Sequence, residues 1–573
     1  MEARAIHLHE LLEGEKQYIV PVFQRHYAWD REQWKQLWND ILSLIEKEKL
    51  EEGKYLAEHF LGAIVCMPGK QVPYAVPQYV LIDGHQRLAT IAILLCALRD
   101  LSRERGSKDL ADEIQDKYLI DKYKKGLERF KIISRLEDRD LLFALIDCKL
   151  PKDWKCRLER VIRAYSYFKE KISEQCHDEK ELRRLFRIIT KQLAVVIITL
   201  DPSKDNPYMI FETLNWRGLP LEEADLIRNY IFMHVPLNKQ KEFDEKIWVP
   251  FENMFKKRGD FATINITDFY RDYLMSKGRY VKKREVYLQF RRSVDLEKDR
   301  DPWEVVKELK YYGKFYVLIH RPSNAVNADL RDELRRFQDL NASTAYPLIL
   351  YLFDKYEKRE LPLKDLLKSL RMIESFVIRR LVCGETSRPY NYWFPQTVRR
   401  IEERLKIGVS ILNALTEFFN EKGWPDDKRF KEALLTFPIY SSAPKMCRMI
   451  LEELEKSYEH KELVDLSASN IQIEHIMPMT LSDAWKEMLG SEWERIYNTY
   501  LHTIGNLTLS GYNQELYNKL YPEKRKRLIN SNLSLNKYFE NVKVWGEEEI
   551  IKRGRKLAER IVQIWPHTSR RKN

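Results

Sequence analysis

Two regions of the chain carry residue types that could do chemistry. The first is "LIDGHQRLAT", residues 81 to 90, where Asp83, Gly84, His85, Gln86 and Arg87 separate two apolar runs. The run before them reads as a strand and the run after as a helix. A helix N-terminus offers unpaired amides and the positive end of the dipole, which favour an anion. Gly84 would let the backbone approach a ligand closely. Arg87 could grip phosphate oxygens in a bidentate way, and Asp83 could hold a metal or a ribose hydroxyl. A plain structural reading stands beside this one, with Asp83 capping the helix and Arg87 paired with a surface acid. Chemistry alone leaves the two level. The second region is "IQIEHIMPMTL" (471 to 481) with "IGNLTLSGYNQELYNKLYPEKRKR" (504 to 527). A strand ending in Glu474-His475, then Ile-x-Pro, sets an acid and an imidazole side by side on a turn. Asn506 and Asn513 follow, with a helix expected over "QELYNKL". Taken singly, these residues are an exposed strand end, a turn residue and a helix cap.

Other elements must position these groups. "QYIVPVFQRHYAW" reads as a strand running into a loop, and "REQWKQLWNDILSLIEKEK" has apolar residues at helical spacing. "HFLGAIVCM", "QYVLID" and "LAVVIITL" read as strands, and "LATIAILLCALRDLSRER" as a helix. From residue 220 to about 465 the pattern is helical, with Tyr, Trp and Leu stripes that form core. "EKGWPDDKRF" (421 to 430) has the composition of a boundary loop.

A chain of 573 residues can hold several domains. Lys and Arg number 99 against 87 Asp and Glu, a net charge of +12. Residues 521 to 573 hold 14 basic and 6 acidic side chains, so two-thirds of the excess sits there. A basic end suggests an anionic partner, nucleic acid first and a membrane surface second. A solvated basic tail is the alternative. Seven cysteines without CxxC spacing read as reduced thiols rather than a disulfide scaffold or a zinc site. The acids in "MEARAIHLHELLEGEK" exclude a secretory signal, and the apolar runs are too short to span a bilayer. A soluble, cytoplasmic protein without a membrane partner is expected.

"VPVFQRHYAW" (20 to 29), "HFLGAIV" (59 to 65) and "LIDGHQRLAT" together resemble the N-terminal domain of GmrS-type proteins. These are the NTP-dependent halves of GmrSD modification-dependent, type IV restriction enzymes, whose fold is similar to the ParB and sulfiredoxin nucleotide-binding fold. The family usually reads DGQQR, and His85 stands here at the first Gln. The resemblance implies that Gln24 and Arg25 of the "FQR" loop face one nucleotide pocket with Asp83, Gly84, His85, Gln86 and Arg87. "IFETLNWRGLPLEEADLIRNYIF" (210 to 232) is similar to the family's FExxNxRGxxLxxxDLIRN block. Asn215 and Arg217 are its candidates for reaching the nucleotide, whereas Asp225 and Arg228 read as a salt-bridged network.

The C-terminal pair of stretches resembles the HNH, or ββα-metal, nuclease motif in its GmrD-type form. Hydrolysing a phosphodiester needs an activated water and a cation on the phosphate. The resemblance implies that His475 takes the water's proton, that Glu474 and Asn513 supply oxygens to Mg2+ or Mn2+, and that Asn506 orients the loop bearing the imidazole. Lys524 and Arg525 would track the DNA backbone, and His502 reads as structural. The expected class is α+β and multidomain: a ParB/sulfiredoxin-like nucleotide-binding domain over 1–235, a helical connecting domain over 236–425 and an HNH nuclease domain over 426–573. The function implied is an NTP-regulated DNA endonuclease of phage defence, with NTPase activity, acting on modified phage DNA. Two other readings are an SspE-like nickase sensing phosphorothioate DNA and a ParB-like nucleotide-switched DNA-binding protein without nuclease activity. GTP and ATP are both open as the nucleotide, and a homo-oligomer is open as the assembly.

Overall fold

The computed structural model describes residues 2–21, 24–50, 57–69, 76–150, 159–201, 204–205, 210, 222–236, 239–256, 262–295, 300–458, 465–466 and 470–567. The fold is mixed α/β with a helical middle. It divides into two compact units, 1–249 with 297–303 and 250–296 with 304–573. Among the described residues, no helix is long and apolar enough to cross a membrane.

The first unit is built on a sheet. Its elements in chain order include β1 (Glu2–His7), β2 (Gln17–Ile19), α1 (Arg31–Leu50), β3 (His59–Pro68), β4 (Gln78–Asp83), α2 (His85–Glu104), β5 (Ile132–Ile133), α3 (Arg160–Gln175), α4 (Glu179–Lys191), β6 (Leu193–Thr199) and α5 (Glu223–Met233). The strand order is β1-β6-β3-β4-β2-β5. The pairs β1–β6 and β3–β4 are antiparallel, and the other three are parallel. Strand periodicity divides the side chains of β3 between two faces. Ile64 and Cys66 enter the main core with α1, α2 and α3, while Val65 joins Ile82 and Leu200 on the other side. Helix α2 is buried almost all round, from Leu88 to Leu98 without interruption, as an apolar run of that kind requires. Within β3 the pairing with β6 slips between Phe60 and Ala63. Gly62 sits in this bulge at φ +113°.

The second unit is helical and carries a β-hairpin before its last helices. It includes α6 (Ile266–Met275), α7 (Leu363–Val382), α8 (Tyr390–Leu405), α9 (Pro444–Lys456), β7 (Gln472–His475), β8 (Leu507–Ser510), α10 (Asn513–Leu516), α11 (Tyr521–Leu528) and α12 (Glu547–Ile564). One core joins Ile378 of α7, Ile450 and Leu454 of α9, Leu507 and Leu509 of β8, and Leu557 and Ile561 of α12. The hairpin is therefore backed by helices from both sides of residue 425. The helix expected over 514–520 is shorter. It ends at Leu516, Tyr517 turns the chain in the left-handed region at φ +23°, and α11 starts anew with Pro522 in its first turn. A proline there loses no hydrogen bond and has the right φ.

Candidate functional site

Strands β7 and β8 pair antiparallel, with Glu474 opposite Thr508 and His475 opposite Leu507. The Ile476 amide continues the ladder by donating to the Asn506 carbonyl at 3.0 Å. The Asn506 side chain is fully buried and spends both ends on backbone. Its Oδ1 accepts from the Met477 amide (2.8 Å), and its Nδ2 donates to the Met477 and Leu501 carbonyls (3.0 and 2.9 Å). The turn that follows the Glu-His pair is thereby held in one conformation. Asn513 is tied to the same strand, its Nδ2 donating to the Ile473 carbonyl at 2.9 Å. Its Oδ1 is buried with no hydrogen-bond partner. A buried carboxamide oxygen left without a donor is costly, roughly 1–3 kcal/mol, and is a ready ligand for a cation.

His475 is 7% exposed. Its Nε2 lies 3.2 Å from Nδ1 of His502, and the Tyr440 ring meets it edge-on at 4.6 Å. Burial, with His502 and Lys524 adding to it, pushes the imidazole down to about 3, so the ring is neutral near pH 7 and a weaker base than a free imidazole. The contact with His502 was hidden from the sequence, because nothing in the spacing of residues 475 and 502 marks two imidazoles as neighbours.

Lys524 overturns an expectation. It is fully buried, and its Nζ donates to Glu474 Oε1 at 2.6 Å and to the His475 carbonyl at 2.7 Å. A phosphate cannot reach it, so Lys524 is no DNA-backbone contact. It neutralises Glu474 instead. Burial pushes the Glu474 carboxyl up and the Lys524 amine down, and each opposes the other's shift. Arg525 is half-buried and is spent locally, its Nε donating to the Phe539 carbonyl at 2.9 Å and a second nitrogen to the Glu540 carbonyl. Both of these cations are thus engaged within the fold.

A second layer supports the turn. Arg553 of α12 is buried, and its NH1 donates to the carbonyls of Gly505 (2.9 Å) and Leu507 (2.6 Å). The Trp545 indole donates to Asn506 Oδ1 at 3.2 Å. Any Cβ at Gly505 would collide with the Ile550 carbonyl oxygen of α12. Backbone therefore rests on backbone here, which only glycine permits. Sequence reading missed Arg553 and Trp545, whose partners lie some forty residues upstream.

In the first unit, three of the quoted blocks converge. Gln24 is buried and its Nε2 donates to the Ile82 carbonyl at 2.7 Å. Gln86 accepts the Ala28 amide on Oε1 and donates from Nε2 to the His26 carbonyl, both at 2.8 Å. His85 sits 3.2 Å from the Arg25 carbonyl, and burial pushes its imidazole down to about 3. These three side chains pin the 24–29 loop onto the start of α2. The N-cap of α2 is Gly84, in the left-handed region at φ +91°, with no side-chain cap. Asp83 is therefore not the cap that the structural reading expected. It closes β4 opposite Val65. A Cβ on Gly84 would press on Ala63 and Ile64 at 3.0 Å. Arg87 lies over the Gly62 bulge and its NH1 donates to the Ala63 carbonyl at 2.8 Å. Arg25 Nε is buried without a hydrogen-bond partner. Arg228 forms a buried ion pair with Asp244 at 3.0 Å, a structural role. Asn215 and Arg217 lie outside the described residues.

Residues 8–232 match the family model described as GmrSD restriction endonuclease, N-terminal domain. Residues 424–560 match the one described as GmrSD restriction endonucleases, C-terminal domain. No curated protein matches the chain.

Proposed function

Because the chain belongs to the GmrSD restriction endonucleases, its N- and C-terminal regions each matching one of that family's domains, we propose that its DNA-cleaving centre is an HNH-type site built from Glu474, His475, Asn506 and Asn513. A type IV restriction enzyme of phage defence has DNA as its substrate, and modified phage DNA is the target proposed for this chain. The observation that carries the reading is the β7–β8 hairpin, where Asn506 locks the turn after His475 and Asn513, tied by Nδ2 to the Ile473 carbonyl, keeps Oδ1 buried and unpartnered. His475 serves as the general base. With Nε2 facing His502, Nδ1 is the atom assigned to take the proton of the attacking water. Asn506 keeps that imidazole in place through the Met477 backbone.

Glu474 Oε2, with Oε1 held by Lys524, and Asn513 Oδ1 are the oxygens that would be offered to a hard divalent cation, with water to complete the shell. Bound there, magnesium or manganese would stabilise charge on the scissile phosphate. Lys524 on Glu474 Oε1 favours a second reading, a DNA-binding switch whose hairpin is only structural. Chelation separates them. Excess chelator should stop cleavage, and added magnesium or manganese should restore it. Undiminished cutting in chelator excludes the metal site, and no cutting under any condition favours the switch.

The N-terminal unit is proposed to have a ParB-like fold and to hydrolyse a nucleoside triphosphate that gates cleavage, its phosphates lying between the start of α2, Arg25 and Arg87. The unpartnered Arg25 Nε and the glycine-lined approach to α2 support this placement. Arg87→Ala should then weaken nucleotide binding on the order of ten- to a hundredfold, the loss of a charge-assisted contact. Isothermal titration with GTP and ATP reads it. An unchanged affinity with a lowered melting temperature would show that Arg87 only braces the Gly62 bulge.

A further inference from the structure

The helical part of the second unit carries a surface that the nuclease site does not use. The loop after α6, "SKGRYVKKRE" (276 to 285), holds five basic residues and one acid. It lies against α8, where Gly278 packs on Arg399. There Tyr280 (40% exposed) meets Tyr392 (53% exposed), with ring centroids 5.3 Å apart. Large aromatic rings exposed as a touching pair are unusual on a surface with no partner. Arg279, Lys283 and Arg284 of the same loop, and Arg388 just before α8, are exposed. Among the described residues none of these four has an ion-pair partner, so the patch keeps its positive charge. Cations beside exposed rings, with Arg271 lying 5.8 Å from the Tyr280 centroid, suit a ligand with regularly spaced negative charge and flat rings. A nucleic-acid strand with an unstacked base has both.

We propose that Tyr280 and Tyr392, with Arg279, Lys283, Arg284 and Arg388, form a DNA-docking surface that holds phosphates on the cations and stacks an unpaired base on the tyrosines. It rests on the reading of the chain as a nuclease and replaces the buried Lys524 as its main backbone contact. Binding is measured apart from cleavage, so that the two ideas fail separately. The full chain is titrated in excess chelator against a fluorescein-labelled single strand of about 20 nucleotides and its duplex. The triple variant Arg279→Gln, Lys283→Gln, Arg284→Gln should bind more weakly and flatten the slope of log affinity against log salt by about 2 for the single strand. Tyr280→Leu with Tyr392→Leu should lose on the order of tenfold to a hundredfold for the single strand, less for the duplex, with the slope unchanged. Lys108→Gln, Lys180→Gln, Lys191→Gln, three exposed lysines of the first unit, serve as the charge-matched control. Wild-type affinity and slope in either patch variant overturns the proposal, and so does an equal loss in the control.

Discussion

Purified His475→Ala should cleave DNA about 10²–10⁴-fold more slowly than the wild type, the usual cost of losing a general base. The ring is buried against Tyr440 and His502, so its removal also leaves a cavity. His475→Gln keeps most of the volume and should be as slow while melting closer to the wild type. Slow cleavage in both variants, with DNA affinity unchanged in chelator, assigns the loss to chemistry rather than folding. Near wild-type turnover in either one would remove the HNH assignment. His502→Ala is informative beside them. If His502 only orients the imidazole, its loss should lower the cleavage rate less than the loss of His475 does.

Lys524→Met should be strongly destabilising, because it leaves the Glu474 carboxylate buried without its cation. Breaking one side of a buried pair costs roughly 3–5 kcal/mol. Glu474 is 6% exposed and Lys524 is fully buried, so solvent cannot replace the lost partner. Glu474→Gln combined with Lys524→Met removes the stranded charge and should recover part of that stability while leaving cleavage abolished. Urea unfolding of the two variants reads the difference. A variant that unfolds like the wild type but binds DNA with a shallower salt dependence would return Lys524 to the role of a phosphate contact.

Lys524 also shows how sequence reading went astray. In "YPEKRKRL" it looks like its basic neighbours, and its partner lies fifty residues upstream. Yet Tyr521, Lys524 and Leu528 are the buried positions of α11, at helical spacing. The periodicity put Lys524 on the inner face, and the weight given to local charge concealed it. The helix over 514–520 failed for a related reason. Its residues suit a helix, but Pro522 starts a new one and the chain must turn at Tyr517 to reach it.

What the sequence determined by itself was local. Apolar periodicity placed α1, α2 and the strands β3, β4, β6 and β7, because burial on one face or all round leaves its period in the chain. Adjacency placed Glu474 and His475 at a strand end and Gly84 before a helix, since neighbours in sequence are neighbours in space. The tertiary structure decided which polar groups are already satisfied. Gln24 donates to the Ile82 carbonyl of β4, His85 and Gln86 bind backbone of the 25–28 loop, and Asn506 binds the turn after His475. It also decided which cations face inward, as Lys524 and Arg553 do, and which remain open, as Arg279 and Arg284 do. A buried charge or amide needs a partner, and packing can bring that partner from any distance along the chain. No window of sequence contains that information, because the pairing energy depends on the desolvated contact and not on the residues between.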